Sequence, residues 1–202
     1  MISLLTEWQY RGLRLARAWH LAYYIPEEHE IAGTLSSRII EFKNSWPKGT
    51  VDRWCQWAID DLAAASLRFD FILRALGSKE LIPRTDRSLD TLGNRVATRQ
   101  GAMYAPAILN KVRETAPLHT LRTLDERRRE MANAYLAVDQ SRDLNGRHVL
   151  LLDDVTTTNT TLAEMLRALR VEWPRANYSF FSLGRTSRNP EANNLIPLAY
   201  FS

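Results

Sequence analysis

The sequence predicts an α/β protein, a parallel sheet flanked by helices with a helical N-terminal extension. Three observations carry this expectation. The stretch HVLLL (148–152) is a nearly continuous apolar run, the pattern of a strand covered on both faces. A helical period follows, with Leu162, Met165, Leu166 and Leu169 on one face, and then a second apolar run, YSFFSL (178–183). Strand, helix and strand in that order make a right-handed βαβ unit. Ahead of them, five of the six tryptophans fall within the first 57 residues, in segments with near-helical apolar spacing.

Taken in order, Leu4, Leu5, Trp8, Leu15, Trp19 and Tyr23 predict an amphipathic helix over 3–24, broken by IPEE (25–28). A second helix is expected from Thr34 to Lys43. NSWPKGT (44–50) is a loop, and Thr50 with Asp52 starts a third helix running to about Leu67. RFDFILRAL (68–76) is rich in strand formers and ends in GSKE. Residues 88–101 read as helix, 121–133 as a basic stretch, AYLAV (134–138) as a short strand and DQSRDLNGR (139–147) as a turn-rich loop. Pro174 ends the helix that begins near Thr161. The expected division is a helical extension or cap over 1–66 and an α/β domain over 67–202.

At 202 residues the chain is long enough to bury a substantial core. Cys55 is the sole cysteine, so there is neither a disulfide framework nor a thiolate set for zinc, and a reducing, cytoplasmic setting is expected. No apolar run approaches membrane-spanning length, and the N-terminus lacks the pattern of a signal peptide. The net charge is +4 and the pI about 9.4. Of 27 basic residues 23 are arginine, which suits a phosphate-rich ligand or a nucleic acid and equally suits a codon bias towards arginine.

The chemistry concentrates in VLLLDDVTTTNTT (149–161). Two adjacent carboxylates, Asp153 and Asp154, stand at the end of a buried strand, and ligands of parallel sheets bind beyond such ends. The next turn enters a helix whose first N–H groups have no internal partner and favour anions. Threonine hydroxyls add donors there, and Thr161 with Glu164 has capping-box spacing, which accounts for one threonine of five. Carboxylates repel phosphate, so they must face another part of the ligand: sugar hydroxyls or a hydrated Mg²⁺. Phosphate at one end and vicinal hydroxyls at the other describe a ribose 5-phosphate. A Walker B reading requires an upstream phosphate loop, which is missing; a D-x-D nucleophile is excluded because the acids are adjacent.

This segment resembles the signature of type I phosphoribosyltransferases. The resemblance implies that Asp153 and Asp154 approach the ribose hydroxyls of phosphoribosyl pyrophosphate, bound with Mg²⁺. It makes Thr156, Thr157, Thr158, Asn159, Thr160 and Thr161 the 5-phosphate loop. It extends to FDFILRAL-GSKE, where Gly77, Ser78 and Lys79 would form the pyrophosphate loop, and to LDERRREMANAYLAV, where Arg127, with Arg128, would form an arginine hood. The arrangement looks most like the ComF-type proteins of bacterial competence, and the match spans roughly residues 40–188. Three departures stand out: Asn159 replaces the family's usual glycine, GSKE replaces an arginine–glycine-rich loop, and the four-cysteine zinc module of many ComF-type proteins is missing.

Elsewhere the signals are weaker. DERRRE (125–130) reads equally as a solvated helix face or as a hood or nucleic-acid contact, and Arg185 and Arg188 read as a solvated loop ahead of a contact to ligand or nucleic acid. His20, His29, His119 and His148 have no metal-ligand spacing, and the tryptophans read as core or interface. Two functions compete: transfer of a phosphoribosyl group to a nitrogen nucleophile with pyrophosphate release, or a non-catalytic module binding a nucleotide, DNA or a protein partner, a second copy included, in DNA uptake, defence or a mobile element.

Overall fold

The computed structural model describes residues 1–26, 35–139, 141–189 and 191–193. His29, Thr34 and the end of IPEE lie outside the described residues. Among the described residues eight strands and six α-helices follow in the order β1 (Ile2–Ser3), α1 (Trp8–Arg11), β2 (Arg17–Tyr24), α2 (Leu35–Lys43), α3 (Lys48–Ala64), β3 (Phe71–Arg74), α4 (Ser88–Gln100), β4 (Met103–Tyr104), β5 (Leu109–Lys111), α5 (Leu124–Met131), β6 (Tyr135–Ala137), β7 (His148–Thr156), α6 (Thr160–Glu172) and β8 (Asn177–Thr186). The main sheet has the order β1-β2-β8-β7-β3-β4, and every pairing in it is parallel except β1 with β2. The mostly parallel sheet flanked by helices is the expected class. Among the described residues no helix is long and apolar enough to cross a membrane.

β7 explains the architecture. Val149 and Leu151 enter one apolar cluster with Phe180, Leu162, Met165 and Tyr135, while Leu150 and Leu152 enter a second with Phe181, Ile72, Trp54 and Phe42. Both faces are therefore covered, as the unbroken run predicts. β8 and β3 cover its two edges in parallel register, Leu151 opposite Phe180 and Leu73.

The first 24 residues do not form the expected helix. They make β1, a single helical turn and β2, which pairs with β8 from Arg17–Ser179 to Tyr24–Thr186. Long-range pairing overrides the local period. Trp8, counted into the apolar stripe, is 71% exposed, whereas Ala18, His20 and Ala22 are buried. α2 and α3 do appear, but Thr50 does not cap α3: the helix starts at Lys48 and the Thr50 hydroxyl donates to Glu41 at 2.6 Å. AYLAV forms β6, which pairs antiparallel with β5 in a separate two-stranded sheet. The expected capping box at Thr161 is not made. Glu164 is buried, holds Arg167 and accepts from Tyr135 N at 3.3 Å, whereas a real capping box joins Thr123 and Glu126 at the start of α5.

The α4–sheet contact sets a tight tolerance. A Cβ on Gly93 would come within 2.2 Å of Tyr104 Cε2, and the Tyr104 hydroxyl donates to Asp90 at 2.8 Å. Alanine improves helix propensity by about 1 kcal/mol, but forcing a ring from a packed site costs about 1–3 kcal/mol. Gly93→Ala is therefore expected to destabilise the protein in urea unfolding, and Tyr104→Ala in the same chain should recover part of the loss.

Candidate functional site

The site forms where β7 leaves the core. Asp153 and Asp154 are half-buried at its carboxyl end and are followed by Thr156, Thr157, Thr158 and Asn159 before α6 begins at Thr160. The acids bind locally, Asp153 Oδ1 accepting from Asp154 N at 2.9 Å and Asp154 Oδ1 from Val155 N at 2.6 Å. Their surroundings differ. Asp154 Oδ2 lies 3.8 Å from Lys43 Nζ, at the end of α2. The Asp153 charge acts on Lys111, Tyr135 and Tyr10. Burial, reinforced by the charge of Asp154, raises the Asp153 carboxyl well above the usual carboxylate range, and the Asp154 charge raises the Lys43 ammonium.

Asn159 sits in the left-handed region at φ 59°, ψ 10°, where glycine is the easiest residue and asparagine the next. Its side chain is buried, with Nδ2 donating to the Gln9 carbonyl at 3.0 Å. Two further ties join the same segments: Tyr10 Oη and Thr156 Oγ1 at 3.0 Å, and Arg185, which binds Glu7 Oε2 at 3.0 Å and donates to the Thr157 carbonyl at 2.7 Å. The turn Glu7–Tyr10 thus backs the threonine loop. Arg185, expected in a solvated loop, is mostly buried and is the centre of this brace.

The hydroxyls divide by role. Thr156 is buried against Tyr10, Thr157 Oγ1 pairs with Thr186 Oγ1 at 2.7 Å, and Thr158 Oγ1 pairs with Thr160 Oγ1 at 2.9 Å. Thr161 is half-buried. Among the described residues no turn or cap hydrogen bond is donated by the N–H groups of Thr157, Thr158 or Asn159. With the first N–H groups of α6 they form a donor-rich helix entrance suited to an anion.

After β3 the loop is occupied differently. Gly77 N donates to Glu80 Oε2 at 2.8 Å, Arg84 N donates to Glu80 Oε1 at 2.7 Å, and Arg74 forks onto both Glu80 oxygens. Burial works to raise the Glu80 carboxyl, but these donors outweigh it and hold it low. The Ser78 carbonyl accepts from Thr115 N at 2.9 Å, and Lys79 is exposed. Buried Lys111 binds the Gly77 carbonyl at 2.9 Å and Thr115 Oγ1 at 3.0 Å, and burial lowers its pKa to about 8. Arg127 donates to its own Leu121 carbonyl at 3.0 Å, and Arg128 pairs with Asp125 at 3.6 Å on an exposed face.

Sequence reasoning missed Lys43, Lys111 and Glu7. One usable signal was present. Only four basic residues are lysine, and Lys43 and Lys111 are two of them, the one at an acid and the other within the field of its neighbour. Among the described residues no group of three or more His, Cys, Asp or Glu could hold a metal by itself. Two hard carboxylates at a strand end do fit Mg²⁺ shared with ligand oxygens, because that ion takes few protein ligands.

No family model matches the sequence, and no curated protein matches it. Solved structures similar to the chain include adenine phosphoribosyltransferase from Leishmania tarentolae (13% identity, TM-score 0.47, covering 94% of this chain and 92% of that one). Adenine phosphoribosyltransferase from Leishmania donovani follows (14%, 0.44, 97% and 84%), with a hypoxanthine phosphoribosyltransferase from Staphylococcus aureus (9%, 0.38, 68% and 72%). With likeness this distant, the functional reading rests on the residues of this chain.

Two predictions arise here. Substitutions at Asn159 should destabilise in the order Gly, Ala, Val: glycine keeps the left-handed turn and loses the Gln9 tie and the bond from Thr156 Oγ1, whereas valine adds strain of about 1–3 kcal/mol. Chemical denaturation reads the order. Separately, burial lowers the pKa of His20 to about 4. The unfolded chain takes up this proton near pH 6.5 and the folded chain only near 4, so stability is full above pH 6.5 and falls as pH drops through that window. His20→Gln should flatten that part of the stability–pH profile.

Proposed function

We propose that the chain binds a ribose 5-phosphate ligand, a nucleotide or phosphoribosyl pyrophosphate, at the carboxyl end of β7. We further propose that it acts as a phosphoribosyltransferase-like protein of the ComF-type branch. The observation that supports the ligand site is that, among the described residues, the N–H groups of residues 157–159 make no turn or cap hydrogen bond at the entrance of α6, one step beyond an acid pair.

In this reading the loop N–H groups hold the 5-phosphate, and that remote anchor supplies binding energy for orienting the ribose. Asp153 and Asp154 accept from the ribose hydroxyls and offset the positive charge that grows on the anomeric carbon. The bond from that carbon to the pyrophosphate oxygen breaks, a bond to the nitrogen nucleophile forms, and the nitrogen's proton passes to solvent. Asp153 and Asp154 are also the residues that would hold Mg²⁺ through the ligand's oxygens, where the ion would neutralise the leaving pyrophosphate.

The Glu80 carboxylate favours a second reading, a nucleotide-binding module without transfer. It already takes the Gly77 N–H and both arms of Arg74, the donors that a pyrophosphate would seek after β3.

Thermal shift separates the possibilities. Phosphoribosyl pyrophosphate with Mg²⁺ should raise the melting temperature, by about 2–4 °C per kcal/mol of binding linkage. Asp153→Asn with Asp154→Asn should abolish the shift. An unresponsive wild type would remove the reading, and a shift without pyrophosphate release across a panel of nucleobases and amines would select the non-transferring module.

A further inference from the structure

We infer that Lys43 is part of the ligand site: its ammonium neutralises the acid pair enough for a phosphorylated ribose to bind before any divalent ion arrives. This rests on the ribose 5-phosphate reading above and adds a residue to it.

Two adjacent carboxylates and a dianionic phosphate ester repel one another, so the pair needs a nearby cation. Lys43 Nζ lies 3.8 Å from Asp154 Oδ2, and its side chain is 45% exposed against 27% for Asp154. The side chain is thus not enclosed by its partner acid and remains accessible to solvent. Its stem is fixed. Ile39 and Phe42 on α2 are fully buried, Ile25 N donates to Ser36 Oγ at 2.8 Å, and Trp54 Nε1 donates to the Arg38 carbonyl at 3.0 Å.

The plainer explanation is that a lysine ends α2 because cations suit helix C-termini. That accounts for a basic residue at position 43 but not for Nζ reaching across to the end of β7. Residue type adds weight. A chain with 23 arginines uses a lysine here, and a compact point charge leaves carboxylate oxygens free where a guanidinium fork would occupy both.

Divalent ions and Lys43 would then do overlapping work, which gives a signature that mere packing lacks. The probe is ribose 5-phosphate, titrated calorimetrically in EDTA and in excess Mg²⁺, against wild type, Lys43→Gln, Lys43→Arg and, as a control, Lys48→Gln. In EDTA, Lys43→Gln should weaken binding about tenfold, as for a charge removed from beside a ligand's counter-groups. Mg²⁺ should restore most of that loss, Lys43→Arg should fall between, and Lys48→Gln should match wild type. Equal affinity of wild type and Lys43→Gln in EDTA overturns the inference and leaves the ribose site standing. A loss of the same size with and without Mg²⁺ overturns it too, since that is the mark of a packing defect. A wild type that binds no ribose 5-phosphate in either buffer removes the site reading and this inference together. Should Lys43→Gln fail a thermal melt, Lys43→Met supports the same comparison.

Discussion

The strand β7 is closed on all four sides, and the rest of the molecule depends on that confinement. Parallel strands cover its edges and apolar clusters cover its faces. A charge placed between Val149 and Leu152 would be buried without a partner, at a cost of several kcal/mol. Carboxylates can therefore appear only where the strand emerges, and there Asp153 and Asp154 meet water on one side and protein on the other. Burial first, and the neighbouring Asp154 charge second, raise the Asp153 carboxyl. The structure answers with Lys43 beside Asp154 and Lys111 within the field of Asp153.

The same confinement made this part of the molecule legible from sequence. An unbroken apolar run, two acids and a hydroxyl-rich turn describe one local event, a buried strand ending at a helix entrance. Local period served less well at the front of the chain. Leu4, Trp8, Leu15, Trp19 and Tyr23 satisfy a helical spacing, yet Arg17–Tyr24 lies in the sheet because β8 offers an uncovered parallel edge. Short-range patterns cannot register a partner more than 150 residues away. For the same reason nothing local marked the Gln9 carbonyl as the receptor for Asn159, or Glu7 as the partner of Arg185.

Asn159 shows how a residue other than glycine can hold a left-handed turn. A glycine there would satisfy the backbone angle and nothing more. Asparagine tolerates the same angle and uses its amide to fasten the loop to the turn Glu7–Tyr10, so the side chain is buried behind the loop. The GSKE turn has a different character. Glu80 brings an internal anion into the turn after β3 and is held there by a buried arginine, so one of the two anion-prone turns is already satisfied from within.

The brace between Glu7–Tyr10 and the threonine loop has a consequence for how the molecule is made. Asn159 is 150 residues from Gln9, and Arg185 is 178 from Glu7. Contacts of such separation close late, because the intervening chain must be ordered first. At ribosomal rates the N-terminal turn waits roughly ten to thirty seconds for its partners to be synthesised. Over that interval β2 has no neighbouring β8, and its aromatic residues are exposed to other chains. The brace behind the threonine loop thus joins segments that are synthesised far apart in time, and it closes only once β8 is available.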